Sequence, residues 1–138
     1  MDIFSIFFLT LLGYQLIRDL NLIRKLILAV EAGPTGYVQD EIEIDGYSEE
    51  QIGYHAYLLV NAGLANGIDV TTIADTLPQW TILHLTSAGH DFADAARDES
   101  IWKKATGIAK EKAGNVTLDV MKQILIHLIN KTLGFDNS

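Results

Sequence analysis

Residues 47–67, YSEEQIGYHAYLLVNAGLANG, carry a full set of helix signals followed by the start of a strand. Ser48 can turn its hydroxyl to a free backbone N–H of the first turn, and Gln51, three residues on, completes a capping-box pattern. Ile52, Ala56 and Leu59 recur at helical spacing and make one apolar stripe. Gly63 permits the left-handed residue on which many helices end. From Leu64 to Ile73 the chain turns rich in β-branched residues and reads as a strand.

On the amino-terminal side, DLNLIRKLILAVEA at 19–32 is another helix. Asp19 can cap it. Leu22, Ile23, Leu26, Ile27 and Val30 give it a broad apolar face, Arg24 and Lys25 are expected in water, and Gly33-Pro34 stops it. Thr35 to Gly46 reads as loop with one short strand, Glu41–Ile44, where Ile42 and Ile44 alternate with acids, and with a turn at Asp45-Gly46. On the carboxyl side, ADTLPQ (74–79) is a turn and WTILHL (80–85) a second strand, whose alternation would put Thr81, Leu83 and Leu85 on one side. The two strands form a hairpin. Thr86 caps a helix to Arg97 with Phe92 and Ala96 inward. Ser100 to Ala113 is helical through Ile101, Trp102, Ala105, Ile108 and Ala109. Gly114-Asn115 breaks it, and Thr117 caps a last helix with Leu118, Met121, Leu125 and Leu128 on one face and Val120, Ile124 and Ile129 beside it. Ile52, Leu59, Leu64, Leu85 and Phe92 should be buried together, because helix, hairpin and following helix have no other apolar face to share.

A chain of 138 residues can bury one real core, and 49 % hydrophobic against 20 % charged residues excludes a disordered chain. The absence of cysteine rules out disulfides and thiolate metal sites. A net charge of −8 argues against nucleic acid or anionic lipid as the default partner. The distribution is sharper than the total. Between Leu26 and Ala96 there is no Lys or Arg, against eleven acids: Glu31, Asp40, Glu41, Glu43, Asp45, Glu49, Glu50, Asp69, Asp75, Asp91 and Asp94. The basic residues lie outside, at Arg18, Arg24 and Lys25 and from Arg97 onward.

Residues 1–17, MDIFSIFFLTLLGYQLI, are apolar after Asp2 but fall short of the roughly 20 residues a membrane-spanning helix needs, and they have neither the basic start nor the cleavage site of a secretory signal. Three readings stay open for them: a helix packed on the domain or on a second subunit, an extension from an upstream start codon, or a membrane anchor. The expected location is cytoplasmic. The terminal segments, Ile3 to Ile17 and Leu118 to Leu133, together hold more apolar surface than one small domain readily covers, so they should pack on each other or pair across a homodimer.

Three stretches in order, RDLNLIRKLILAVE from Arg18, GYSEEQIGYHAYLLVNAGLA from Gly46 and LTSAGHDFADAARDESIWKK from Leu85, closely resemble the bacterial and phage family called domain of unknown function 2513, and the likeness runs to the final helix. That resemblance implies a winged-helix-like fold and frequent carriage on prophages, and brings no established activity and no catalytic residues. Family members begin near the position of Leu16. More broadly, YHAYLLVNAGLA and LTSAGHDF resemble the recognition helix and the strand-to-helix corner of winged-helix transcription regulators, with the hairpin as the wing. The second helix of the usual three-helix core is eroded into Thr35 to Gly46.

Catalytic signals are missing. His55, His84, His90 and His127 form no HisxxxHis pair, and are read as structural (His55, His84) or as a polar residue at a helix start (His90), so no metal or other cofactor is expected. No nucleophile motif and no phosphate loop occurs, since Gly63 and Gly67 do not lie between a strand and a following helix. Glu49 and Glu50 open a helix, where the dipole favours acids, and are no catalytic dyad. The outward face of the central helix, Glu49, Glu50, Gly53, Tyr54 and Tyr57, with Leu58 beside it, offers acids and tyrosines where base reading favours Arg, Lys, Asn and Gln. It is therefore the candidate interaction surface for a protein, and nucleic acid is not expected there. Lys103, Lys104, Lys110 and Lys112 form a candidate basic patch, diluted by Glu111.

The expected architecture is α+β and mostly helical: an apolar extension at 1–17, a winged-helix-like core at 18–98 with a β-hairpin wing, and helices packed on that core at 99–138. The expected function is that of a small non-enzymatic regulatory or adaptor protein of phage or mobile-element origin, acting through protein contacts. The alternative is a DNA-binding winged-helix regulator with its basic surface in the terminal helices. A membrane contact could come only through residues 1–17.

Overall fold

The structure, a computed structural model, describes residues 18–33, 41–112 and 117–134. Expectations for residues 1–17, Pro34 to Asp40 and Gly114-Asn115 lie outside those residues, and so does the pairing of Ile3 to Ile17 with the last helix. The described chain runs α1 (Leu20–Glu31), α2 (Glu49–Asn61), β1 (Ala65–Asp69), β2 (Trp80–Leu85), α3 (Ser87–Arg97), α4 (Glu99–Lys112) and α5 (Leu118–Leu133). It is α+β and mostly helical, with one two-stranded antiparallel sheet. No helix among the described residues is long and apolar enough to cross a membrane.

Local signals set the helix starts. The Asp19 carboxylate accepts from the amides of Asn21 and Leu22, Ser48 and Gln51 close a full capping box, and Thr86 and Thr117 accept from the amides of Gly89 and Val120. Gly63, at φ +77°, ends the α2 region in the left-handed conformation. All five apolar residues of the α1 stripe are buried. They meet Ala56 and Leu59 of α2, Leu64, Ile82 and Leu85 of the hairpin region, and Phe92, Ala93 and Ala96 of α3 in one core, with Ile52 only partly buried against it. Leu59 is fully enclosed at 0 % exposure. The same core takes in Ile101, Trp102, Ala105 and Ala109 of α4 and Leu118, Met121 and Leu125 of α5. Ile124, Leu128 and Ile129 of α5 are only partly buried against it, and Val120 and Leu133 are its exposed large residues.

Four expectations need correction. Glu41–Ile44 forms no strand: Ile42 and Ile44 do turn inward between exposed acids, but the segment joins no sheet among the described residues. The first strand stops at Asp69, because Asp69, Thr71, Thr72 and Asp75 build side-chain-to-backbone turns that compete with the ladder. In β2, Ile82 and Leu85 are buried while Thr81 is exposed, so the simple alternation fails. The register gives the reason: Asn66 faces His84 and Gly67 faces Ile82, leaving Leu83 as the extra residue of a β-bulge that flips the side-chain phase. Arg24 is not in water. Its Nε donates to the Ala96 carbonyl at 2.7 Å, its Nη2 pairs with Glu99 at 3.1 Å, and its guanidinium lies 5.5 Å from the Trp102 ring centre. One long side chain thereby ties α1 to the α3–α4 corner.

That corner has a counterpart on the other side of the core. The Thr86 hydroxyl donates to the Gly63 carbonyl at 2.7 Å, and the Thr86 amide donates to the Leu64 carbonyl at 3.0 Å. The end of α2 and the start of α3 are bolted together there. Gly89 lies against the same carbonyl, and a Cβ at that position would strike the Leu64 oxygen.

Candidate interaction surface

The hairpin lies along one stripe of α2. Thr76 donates to the Glu50 carboxylate at 3.2 Å, the Gln79 amide nitrogen donates to the Glu50 carbonyl at 3.1 Å, and its side chain covers Gly53 so closely that a Cβ there would collide with it. Farther along the helix, Tyr57 meets Trp80 with ring centres 6.3 Å apart, and Val60 packs where Gly67 leaves room. Positions 50, 53, 57 and 60 follow the three-and-four spacing of a single helix face.

This placement corrects the reading of the outward face. Glu49 and Glu50 are exposed, but Gly53, Tyr54 and Tyr57 are half-buried. Gly53 is roofed by Gln79, and Tyr57 stands between Trp80 and Tyr54, its ring stacked on that of Tyr54 with centres 6.0 Å apart. The five residues do not form one open surface. Glu50, Gly53 and Tyr57 seat the hairpin, Tyr54 stacks on Tyr57, and Glu49 is exposed beside them. Single-sequence reading missed this because Thr76, Gln79 and Trp80, which cover Glu50, Gly53 and Tyr57, lie far along the chain on a path that no local signal reports.

What stays open is a cleft of about 380 Å³ between α1, the segment at 41–42, α2 and the hairpin. Its deep wall is apolar: Leu26, Ala56 and Ile82 are each at most 3 % exposed. Ile42, Ile52 and Trp80 form its sides, and the exposed carboxylates of Glu41 and Glu49 stand among its lining residues with Val70, Gln79 and Thr81. Its size falls in the range of about 300–1,000 Å³ in which ligand sites occur. Sequence reasoning passed over it, although the alternation EIEI at 41–44 was the available signal: a strand-like segment with acids outward and isoleucines inward. The hairpin also carries exposed apolar side chains, Val70 of the cleft lining at 48 %, Ile68 at 51 % and Ile73 at 106 %.

The histidines are dispersed. His55 is buried, with Nε2 accepting the Asp19 amide at 2.9 Å and Nδ1 donating to the Gln51 carbonyl at 2.8 Å. These two partners fix the neutral tautomer, and burial holds the imidazole pKa below its ordinary value, with the Gln51 carbonyl acting in the opposite sense. Asp19 also accepts the Tyr47 hydroxyl at 3.1 Å, so Asp19, His55 and Tyr47 join α1 to α2. Burial and this carboxylate raise the Tyr47 pKa. His84 lies on β2 with Nδ1 at 3.0 Å from the Leu85 carbonyl, and exposed His90 is 3.6 Å from Glu31, which also pairs with Arg97. Among the described residues no group of three or more His, Cys, Asp or Glu is placed to hold a metal ion. Lys103, Lys104 and Lys110 are exposed on α4, Lys103 and Lys110 sharing a face by their seven-residue spacing, and Lys112 closes the helix.

The chain belongs to the family described as hypothetical protein (DUF2513), whose model matches residues 17–115. The match takes in the three stretches that carry the resemblance and ends ahead of α5. The chain is also similar to a Haemophilus influenzae protein named only as an uncharacterized protein, at 27 % identity over 124 residues, which span 84 % of this chain and 98 % of the relative. No solved structure matches it.

Proposed function

We propose that this is a small non-enzymatic adaptor or regulatory protein that works by docking another protein on its hairpin. The frame is winged-helix-like, with α2, the β1–β2 wing and α3 in that order. The stripe of α2 next to the hairpin, where a nucleic-acid-reading helix would need open side chains, is the seat of the wing. The observation that carries the reading is the hairpin surface itself: Ile68, Val70 and Ile73 stand exposed in a region with no Lys or Arg between Leu26 and Ala96. Exposed apolar side chains set among acids suit a protein contact, and an acidic surface repels polyanions. A phage or mobile-element origin belongs to the same proposal, and the genes on either side would reveal it.

The test is affinity capture from the cells that carry the gene, using the intact protein beside Ile68→Glu/Ile73→Glu. One defined protein retained by the first and lost by the second is the expected result. The competing reading, a DNA-binding regulator, is favoured by the exposed Lys103, Lys104 and Lys110 on α4. Duplex binding at low salt that disappears on Lys103→Glu/Lys104→Glu, with no hairpin-dependent protein capture, would replace the adaptor reading.

A further inference from the structure

We infer that the cleft between α1, α2 and the hairpin receives a large apolar side chain from a basic, extended peptide segment of the partner. The inference rests on the adaptor reading and specifies its site. Three observations select the occupant. First, the deep wall is made of core residues, Leu26, Ala56 and Ile82, so an entering apolar group meets packed hydrocarbon at depth. Second, the charged side chains of the lining are Glu41 and Glu49, both exposed, with no Lys, Arg or His among the lining residues. A cation beside the cleft meets the carboxylates of Glu41 and Glu49 and no basic side chain in the lining, and Lys25, next to Leu26 on α1, is held over the Tyr47 ring at 5.6 Å from its centre. Third, apolar surface does not end at the cleft. Val70 lines it and is half-exposed, and Ile68 and Ile73 continue outward along the hairpin. A compact ligand would leave that strip in water, whereas an extended segment covers it with the residues that flank its anchor. The basic flanks supply charge complementarity and orientation, and the apolar anchor supplies the buried contact.

The probe is a pair of capped hexapeptides, Lys-Lys-Leu-Trp-Lys-Lys and Glu-Glu-Leu-Trp-Glu-Glu, with a third, Lys-Lys-Ser-Ser-Lys-Lys, that keeps the charge and removes the anchor. Each is titrated into the intact, isotope-labelled protein while amide resonances are followed. The first peptide is expected to shift the signals of Glu41, Ile42, Val70, Trp80 and Thr81 in a saturable way, and the other two to leave them in place. Glu41→Lys/Glu49→Lys, on exposed side chains that leave the core untouched, should weaken binding by about tenfold, two reversed charges each contributing a modest surface term. The inference is overturned by shifts scattered over the acidic surface, by equal binding of the anchor-free peptide, or by no saturable shift at the cleft at millimolar peptide. Cleft shifts that appear on concentrating the protein alone would assign the cleft to a second copy and overturn it as well. Because hairpin-dependent capture of a partner is read independently, loss of the cleft assignment would leave the adaptor reading standing, and loss of both would remove the common premise.

Discussion

At the scale of single residues, His55 does the most with its chemistry. It has no capping residue's position in α1, yet its Nε2 accepts the amide of the N-cap residue Asp19, the role that a Gln or Glu at the third helical position fills in a capping box. Protonation would turn that acceptor into a donor facing an N–H. The folded-state pKa lies below the ordinary 6.5, so the unfolded chain binds the proton more tightly. The stabilisation from His55 is therefore present above about pH 6.5 and is lost as the pH falls from there toward the folded-state pKa. Urea-unfolding free energies between pH 7.5 and 5.5 should fall more steeply for the native chain than for His55→Phe, and equal slopes would exclude His55 as the titrating group. At pH 7.5 the variant itself should lose about 1–3 kcal/mol, because a part-buried amide is left without its acceptor. A second prediction at this scale concerns Gly89. A methyl there meets backbone, which cannot swing aside as a side chain can, so Gly89→Ala should cost at least about 1–3 kcal/mol. An unchanged melting temperature would refute the close approach of α3 to Leu64.

Among elements, helix starts and the pairing of the two hairpin strands were legible, while the register within the hairpin and its seat on α2 were not, for a physical reason. A cap is a contact between residues two or three positions apart, so Asp19, Ser48, Thr86 and Thr117 could be read directly and each closes its helix as expected. The β-bulge at Leu83, the missing strand at Glu41–Ile44 and the hairpin lying on α2 all depend on partners far along the chain, and hydrophobic alternation is silent about those. The candidate surface suffered most. Gly53 and Tyr57 look outward on a helical wheel and are covered by Gln79 and Trp80. Two caps that look alike in sequence should differ in energy. Ser48 serves its own helix, whereas the Thr86 hydroxyl also holds the Gly63 carbonyl. Ser48→Ala should cost about 0.5–2 kcal/mol. Thr86→Val, of similar volume, should cost more because it breaks a cap and an interelement bond together. Chemical denaturation of the two variants side by side reads the order, and a Thr86→Val loss no larger than that of Ser48→Ala would show that the bond to Gly63 adds nothing.

For the molecule as a whole, the division of charge governs what it can touch. The α2–hairpin side is acidic, and the basic residues lie at Arg18, Arg24 and Lys25 and from Arg97 onward, so any duplex binding must come from those. Non-specific affinity rests on neutralised phosphates, with a salt slope of roughly −0.9 per contact. An electrophoretic shift at low salt should therefore show weak binding at most, abolished by Lys103→Glu/Lys104→Glu and indifferent to Tyr57→Ala; tight binding that Tyr57→Ala destroys would restore α2 as a reading helix. The Arg24 tie has a consequence of another kind, in the order of events during synthesis. Arg24 is joined to the carbonyl of Ala96, 72 residues later, and its guanidinium rests on Trp102. Neither acceptor nor ring exists when α1 leaves the ribosome. The Arg24 guanidinium must wait, unplaced, until roughly three-quarters of the chain has been made, and loops of that length close slowly. A nascent chain stalled before Trp102 would hold α1 against α2 and the hairpin alone, with the part of the core that α4 and α5 complete still uncovered.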